Sequence, residues 1–404
     1  MFDPGQVIVG LEIGTHKICV AVGEAGPKGE LTILGIGQCT SRGVRKGEIT
    51  DTQKAAEDIR TALAEAEQQA NVEIQEVYLG ITGNHITCED SKGVHPIASY
   101  DRTITAEDMA DAVGNAKQFN CAAGNEVIDS VRQDYCVDDM TGVENPIGLV
   151  GSVLTASVHV IRGRTARIET ARRVVQSMQV SVAKPVFNGL ASALAVLTPE
   201  QKRQGVLLID LGAGATEYAF FYGGMLRHSG VLPVGGDHVS NDLACGLRIS
   251  IDQAEQLKRE IGSAVYDAAA VRGQYYEVPG ETGLEPRQIS LENFQRIMSM
   301  RLEETLELIS RDLARAETFG LAQAGVVLCG GGARTRDIEK LVYRIFSMDV
   351  VKAHTHAVSG PADVLANPEF ATAIGLVRYG AMRLQTRARS RFGIRATLQS
   401  LFGR

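Results

Sequence analysis

The sequence predicts an α/β protein whose two halves are duplicated lobes facing each other across a cleft. Three observations carry this. Strand-like runs rich in β-branched residues alternate with helical patterns along the chain. An apolar strand that delivers an acid two residues before a glycine occurs twice, as Gly10-Leu11-Glu12-Ile13-Gly14-Thr15 and as Ile209-Asp210-Leu211-Gly212-Ala213-Gly214. No low-complexity segment or long linker separates the halves, so the 404 residues read as two domains or four small lobes.

Each element has a local reason. Val7 to Ile13 predicts a strand, Gly14 to Lys17 a turn, and Ile18 to Val22 the returning strand; Leu31 to Gly37 is a third. Asp51 to Ala70 predicts a helix capped by Asp51, with Ile59 and Leu63 facing the core. Val77 to Thr82 is again a strand. Residues 84–162 change character: a helix from Ala106 to Phe119, capped by Thr105, sits among strand-like runs at Glu126–Asp134 and Gly151–Ile161. This predicts a compact α+β insert. A helix Arg164–Met178, a short strand Val180–Val182 and an apolar helix Asn188–Leu197 follow. The second block has strands at Val206–Ile209, Glu217–Tyr222 and Leu226–Val231. A helical region spans 237–320, its longest helix predicted at Leu291–Phe319. Strand Gly325–Leu328, the run Gly330-Gly331-Gly332, helix Asp337–Phe346 and helix Phe370–Tyr379 complete the pattern.

Composition narrows the function. With 44% hydrophobic and 22% charged residues, the chain is neither collagen-like, disordered nor a multi-span membrane protein. A net charge of -7 argues against a global nucleic-acid binder. The 7 cysteines form no CxxC pair, which argues against a zinc ribbon or disulfide scaffold and for a reducing compartment. Met1 to Gly10 carries no signal-peptide or spanning pattern, so a cytoplasmic protein is expected. The charge is segregated. No acid follows Glu369, whereas Arg378, Arg383, Arg387, Arg389, Arg391, Arg395 and Arg404 do.

The glycine turns suit phosphate. A strand–turn–strand with glycine at its tip aims backbone N–H groups at one point and lets a ligand come close. Thr15 adds a hydroxyl, and Glu12 and Asp210 place carboxylates at buried strand ends, as magnesium bound through water requires. The run Val326 to Arg334 takes a third apolar strand into three glycines. None of these is a Walker A motif or a GxGxxG fingerprint opening a helix.

Gly10–Lys17, Ile209–Gly214 and Leu328–Gly332 resemble the phosphate-1, phosphate-2 and adenosine motifs of the actin/Hsp70/sugar-kinase superfamily. Within it the chain resembles the FtsA family of bacterial cell-division proteins, through Pro233–Leu243, Ala254–Lys258 and Ala373–Gly380, from residue 6 to 404. The resemblance implies a core subdomain 1A from 1–83, 163–204 and 361–382, with 84–162 as the inserted subdomain 1C. It implies a second core 2A from 205–230 and 301–360, and a small subdomain 2B at 231–300. Residues 383–404 would be a linker and an amphipathic membrane-targeting helix.

The implied cofactors are ATP and Mg²⁺. Gly14, Thr15 and His16, with Lys17 just beyond, would form the first phosphate loop; Gly212, Ala213 and Gly214 the second. Gly235 and Gly236 would approach the sugar–phosphate side. Glu255 and Lys258 would reach the adenosine, with Gly331, Gly332 and Ala333 against it. Glu12 and Asp210 would hold the metal through water. Two positions depart from the pattern. Glu12 stands where most superfamily members have Asp. Asn188 falls where hydrolysing relatives carry a carboxylate; an amide cannot take a proton, so slow hydrolysis at best is expected. A second reading makes Asn188 the cap of the helix it begins.

The resemblance also implies partners: the C-terminal peptide of the tubulin-like protein FtsZ, other copies of the chain in a filament, anionic lipids, and division proteins meeting subdomain 1C, with no nucleic acid. Arg287, Arg296 and Arg301 are candidates for the FtsZ peptide; ion pairing within the helix is the alternative for Arg301. The tail carries an apolar stripe of Ile394, Leu398, Leu401 and Phe402, flanked by Arg391, Phe392 and Arg395. It is too short to span a bilayer and suited to lie in the headgroup plane, at the cytoplasmic side of the inner membrane. A sugar or acetate kinase on the same fold, or a pilus-assembly ATPase, is the alternative. The arginine run from Arg162 to Arg173 reads as a solvated face, and His354 with His356 as a surface strand or loop rather than zinc ligands.

Overall fold

The computed structural model describes residues 7–26, 30–118, 121–280, 285–316 and 319–385. The internal repeat is structural down to single hydrogen bonds. In the first lobe, strand Val7–Ile13 pairs antiparallel with Lys17–Ala25, placing Glu12 opposite Cys19. Gly14 N–H closes the turn on the Lys17 carbonyl at 3.0 Å. In the second, Val206–Leu211 pairs with Thr216–Tyr222, placing Asp210 opposite Glu217. Gly212 N–H closes that turn on the Ala215 carbonyl at 3.1 Å.

The two sheets share one topology. The first runs Leu31–Thr40, Lys17–Ala25, Val7–Ile13, Glu76–Ile81, Ser181–Phe187. The second runs Met225–Leu232, Thr216–Tyr222, Val206–Leu211, Val326–Cys329, Val350–Lys352. In each, a three-stranded antiparallel meander is extended by two parallel strands. The first sheet's edge strand, Ser181–Phe187, runs past the expected Val180–Val182 and includes Pro185. Proline is tolerated there because an edge strand leaves one side unpaired.

The helices cover these sheets as their patterns dictate. Asp51 caps helix Thr52–Ala70, accepting from the N–H groups of Gln53 and Lys54 at 3.1 Å each. Ile59, Ala62 and Leu63 are buried on the sheet. The closing helix spans residues 371–385. It crosses helix Asn188–Val196 so tightly that a Cβ on Gly375 would lie 1.8 Å from the Ala191 carbonyl oxygen. The long helix is Leu291–Arg315 and does not reach Phe319, which opens a short 3-10 turn, Phe319–Leu321. Thr318 and Gly320, poor helix formers, follow its end. Its first half packs Phe294 and Met298 with Val239, Leu243 and Leu257; its second packs Leu306, Ile309 and Leu313 with Leu207 and Val326. One helix thus belongs to two cores, which separates a small subdomain from the second lobe's sheet.

The insert is a four-stranded antiparallel sheet ordered Thr87–Pro96, Val153–Arg164, Asn125–Val137, Met140–Val143. Helix Ala106–Lys117 packs on it, closed by a reciprocal cap between Thr105 and Asp108. Sequence reading did not anticipate that this insert, covalently part of the first lobe, docks on the second. The Gln133 amide donates to the Leu226 carbonyl at 3.0 Å, and Arg227 pairs with Asp134 at 2.7 Å. Buried His159 bridges Asp90, at 2.6 Å, and Ser229, at 2.8 Å.

Candidate nucleotide site

The floor of the cleft holds three carboxylates, Asp210 and Glu217 buried and Glu12 half-buried. The Asp210 carboxylate accepts from the Ser192 hydroxyl at 2.6 Å and the Thr372 hydroxyl at 3.1 Å. Burial raises its pKa against these donors and the Cys329 thiol. Burial pushes Glu12 up to about 8; Asp210 and Glu369 add to this and Lys17 opposes it. Its Oε2 is buried and has no hydrogen-bond partner. The third acid is Glu217. Burial, then the charge of Asp210, pushes it up to about 8. Thr82, from the first lobe, donates its hydroxyl to it. Sequence reading missed Glu217; the signal was the hairpin register, which sets residue 217 opposite 210.

Such a floor fits a divalent cation. Uncompensated buried carboxylates are costly, and hard oxygen donors with a free lone pair are what magnesium takes. Glu12, with its orphaned oxygen, is the clearest donor, while Oδ2 of Asp210 is already engaged. No cluster of three or more His, Cys, Asp or Glu set to ligate a metal occurs among the described residues, His354 and His356 included.

The glycine turns meet above this floor. A Cβ on Gly214 would lie 2.2 Å from the Thr15 hydroxyl oxygen, so only glycine allows the second turn to approach the first this closely. That hydroxyl accepts from Gly47 N–H at 2.9 Å. Gly235 and Gly236 seat on the second turn, with Gly236 N–H donating to the Gly212 carbonyl at 3.0 Å and Asp237 N–H to that of Ala213 at 2.8 Å. Lys17 is drawn away to Glu369 at 3.1 Å, its ammonium 4.5 Å from the centre of the Phe370 ring. His16 is exposed, and its Nε2 lies 2.7 Å from a terminal nitrogen of Arg259.

Of the residues assigned to the adenosine side, Glu255 and Lys258 touch each other. Lys258 donates to the Gly236 carbonyl at 3.0 Å, to Ser240 at 2.9 Å and to Glu255 at 2.5 Å. Ser240, which the sequence did not single out, also donates to Glu255 at 2.5 Å. The run Gly331–Arg334 is a 3-10 turn after strand Val326–Cys329. Gly332 packs on Leu211 and Ala333 is buried, whereas a Cβ on Gly331 would meet no atom within 4 Å. Gly331 is therefore the glycine with open space before it.

Asn188 does not cap its helix. Phe187 occupies the cap position, and no side chain closes that end. Asn188 is 4% exposed, its Oδ1 buried without a partner. Its neighbour Gly189 packs against Glu217, a Cβ there lying 3.3 Å from that of the acid. A small pocket at the strand ends is lined by Ile13, Gly80, Thr82, His85 and Arg167 among others.

The partner-binding candidates are spread out. Arg287 donates to the carbonyls of Leu247 and Arg248, closing the end of helix Gly236–Leu247. Arg301 pairs with Asp242 and Glu304, both at 2.5 Å, combining the expected intrahelical pair with a contact to another helix. Arg296 is exposed on the same helix. In the arginine run, Arg162, Arg167 and Arg172 pair with Glu89, Glu48 and Glu126. Arg391, Phe392, Ile394, Arg395, Leu398, Leu401 and Phe402 lie outside the described residues.

Two sheets of one topology, each offering an acid-bearing glycine hairpin to a shared cleft, define an actin-like protein. Solved structures agree on the fold. The PilM–PilN type IV pilus biogenesis complex matches with a TM-score of 0.67 at 16% identity, covering 93% of this chain and 98% of that one. MreB 5 of Spiroplasma citri bound to AMPPNP matches at 0.57 and 16%, covering 96% and 99%. The family model "Cell division protein FtsA" matches residues 207–375, and "SHS2 domain inserted in FTSA" matches 83–162. The cell division protein FtsA of Pseudomonas aeruginosa is 34% identical over 379 residues, covering 94% of this chain and 90% of the relative. That of Escherichia coli is 32% identical over 385 residues, covering 93% and 90%. The chain belongs to the FtsA family and is an actin-like cell-division protein.

Proposed function

We propose that this protein binds ATP with magnesium in the cleft, self-associates, and joins FtsZ filaments to the inner face of the cytoplasmic membrane at the division site. The observation that carries the nucleotide reading is the floor: paired glycine turns stand over buried carboxylates, and a Glu12 oxygen there lacks a partner. Backbone N–H groups of the turns at Gly14 and Gly212 would cradle the phosphates. Glu12, with Asp210 behind it, would hold magnesium through water, which neutralises phosphate charge. Glu255, Lys258 and Gly331 would flank the adenosine.

Hydrolysis would be slow, because Asn188 brings an amide where a carboxylate would accept the water's proton. ATP would then serve mainly as a switching ligand. Actin-like lobes stack by a heterologous contact, which builds filaments rather than closed rings. The tail from 383 to 404 would anchor the assembly through its arginines and apolar stripe, and filament formation would multiply its weak affinity. Residues near Arg301 would take the FtsZ C-terminal peptide, and the insert would meet other division proteins.

Co-sedimentation with anionic vesicles, with and without ATP and an FtsZ C-terminal peptide, tests this. Recovery of the peptide with the vesicles only when the protein is present is expected. A protein that stays in the supernatant with the peptide while the vesicles sediment, under all conditions, overturns the proposal.

A further inference from the structure

We infer that Arg259 is a gate and clamp at the lip of the cleft, displaced from His16 as a nucleotide enters and then closing over its phosphates. The inference rests on the nucleotide reading of the cleft. Arg259 lies in the last turn of helix Ile251–Ile261, in the small subdomain of the second lobe. Its Nε donates to Glu255 at 2.7 Å. Its terminal Nη2 reaches across the cleft to Nε2 of His16 at 2.7 Å, joining residues 243 apart in sequence. His16 belongs to the first phosphate turn, so the guanidinium stands where phosphate oxygens would gather.

Two other cations of this region, Lys17 and Lys258, are committed elsewhere. Lys17 is paired with Glu369. Lys258 is held by Gly236, Ser240 and Glu255. Across the cleft, an imidazole nitrogen of His16 is the acceptor that holds Arg259: partial desolvation first, then the charge of Arg259 itself, keep His16 below its ordinary pKa. A phosphate oxygen is a stronger acceptor for a guanidinium than a neutral imidazole, because the hydrogen bond is charge-assisted at both ends. The fork of five N–H groups can leave His16 without releasing Glu255. The Arg259 side chain is 57% exposed and has room to swing.

Exchange of His16 for a polyphosphate therefore costs little and ties the small subdomain of the second lobe to a ligand seated on the first. Nucleoside di- and triphosphates recruit the clamp; a nucleoside without phosphates does not. Phosphate recognition and closure of the lobes become one event.

The test compares the parent protein with Arg259→Ala and Arg259→Lys, measuring equilibrium affinity for ATP, ADP and adenosine and the dissociation rate of a fluorescent ATP. Arg259→Ala is expected to weaken ATP and ADP about tenfold or more and to speed ATP release, with adenosine unchanged. Arg259→Lys, keeping the charge without the fork, should recover part of the loss. An equal loss for adenosine would make Arg259 a mere prop for Glu255 and overturn the inference, as would unchanged ATP release. If the parent protein binds no ATP, the nucleotide reading itself falls, and the clamp with it.

Discussion

Thr82 of the first lobe donates its hydroxyl to Glu217 of the second, across the floor of the cleft. Glu217 is in turn the register partner of Asp210. The lobes are thus joined beneath the glycine turns through one of the three acids of the floor. Their electrostatics give the first prediction.

Glu12 and Glu217 have folded-state pKa values raised from 4.5 to about 8. An acid raised on folding holds its proton in the native state and loses it in the unfolded one between these values. The stability contributed is therefore present below about pH 4.5 and lost as pH rises toward 8. The nucleotide-free protein should lose stability over this window. Glu12→Gln should remove part of that slope, raising Tm at pH 8 by a few degrees while abolishing the response to magnesium with ATP. Thermal melts from pH 5 to 8.5 check it; an unchanged slope in the variant would refute it.

Gly331 faces open space, so a larger side chain there meets ligand rather than protein. Gly331→Leu should keep its Tm within about 2 °C of the parent and lower ATP affinity more than tenfold. Gly214→Leu drives its side chain into Thr15 and should lose affinity and stability together. Calorimetric titration paired with melting curves separates the two.

The seam between insert and second lobe should contribute measurably to stability. His159→Leu leaves Asp90 and Ser229 without their buried partner and should cost about 1–3 kcal/mol. Denaturant unfolding of the two proteins, compared at equal slope, measures the loss.

Arg301 pairs with Asp242 and Glu304, and reversal of its charge sets three acids together. Arg301→Glu should weaken the FtsZ C-terminal peptide about tenfold, and parent binding should fall with salt. Fluorescence anisotropy at two ionic strengths reads both; equal affinity in the variant would place the peptide elsewhere.

No helix among the described residues is long and apolar enough to cross a membrane. Deletion of 391–404, or Leu401→Glu with Phe402→Glu, should abolish binding to anionic vesicles and leave ATP affinity intact. Persistent vesicle binding by the deletion would show that another surface holds the membrane.

Much of the architecture was legible in the sequence because it depends on neighbours along the chain. The two acid–glycine hairpins and the caps at Asp51 and Thr105 each follow from a dozen residues or fewer of local pattern, and the insert at 84–162 from a change of pattern along the chain. Glu12, Asp210 and the glycine turns could be named for the same reason: strand period and turn chemistry set them. The expected ends at 182 and 319 were misplaced, since edge position and helix propensity compete there.

What tertiary structure alone decided are the contacts between segments far apart in sequence. Thr82 on Glu217, His159 on Ser229 and Arg259 on His16 join residues that no periodicity relates. The burial that isolates Asn188 Oδ1 and pushes Glu12 up to about 8 is likewise a property of the packed lobes. Sequence by itself determined which acids and glycines stand at the strand ends and turns. Only the closure of two sheets on one cleft decided which keep a free oxygen or an exchangeable partner, because desolvation and pairing exist only once distant strands share a floor.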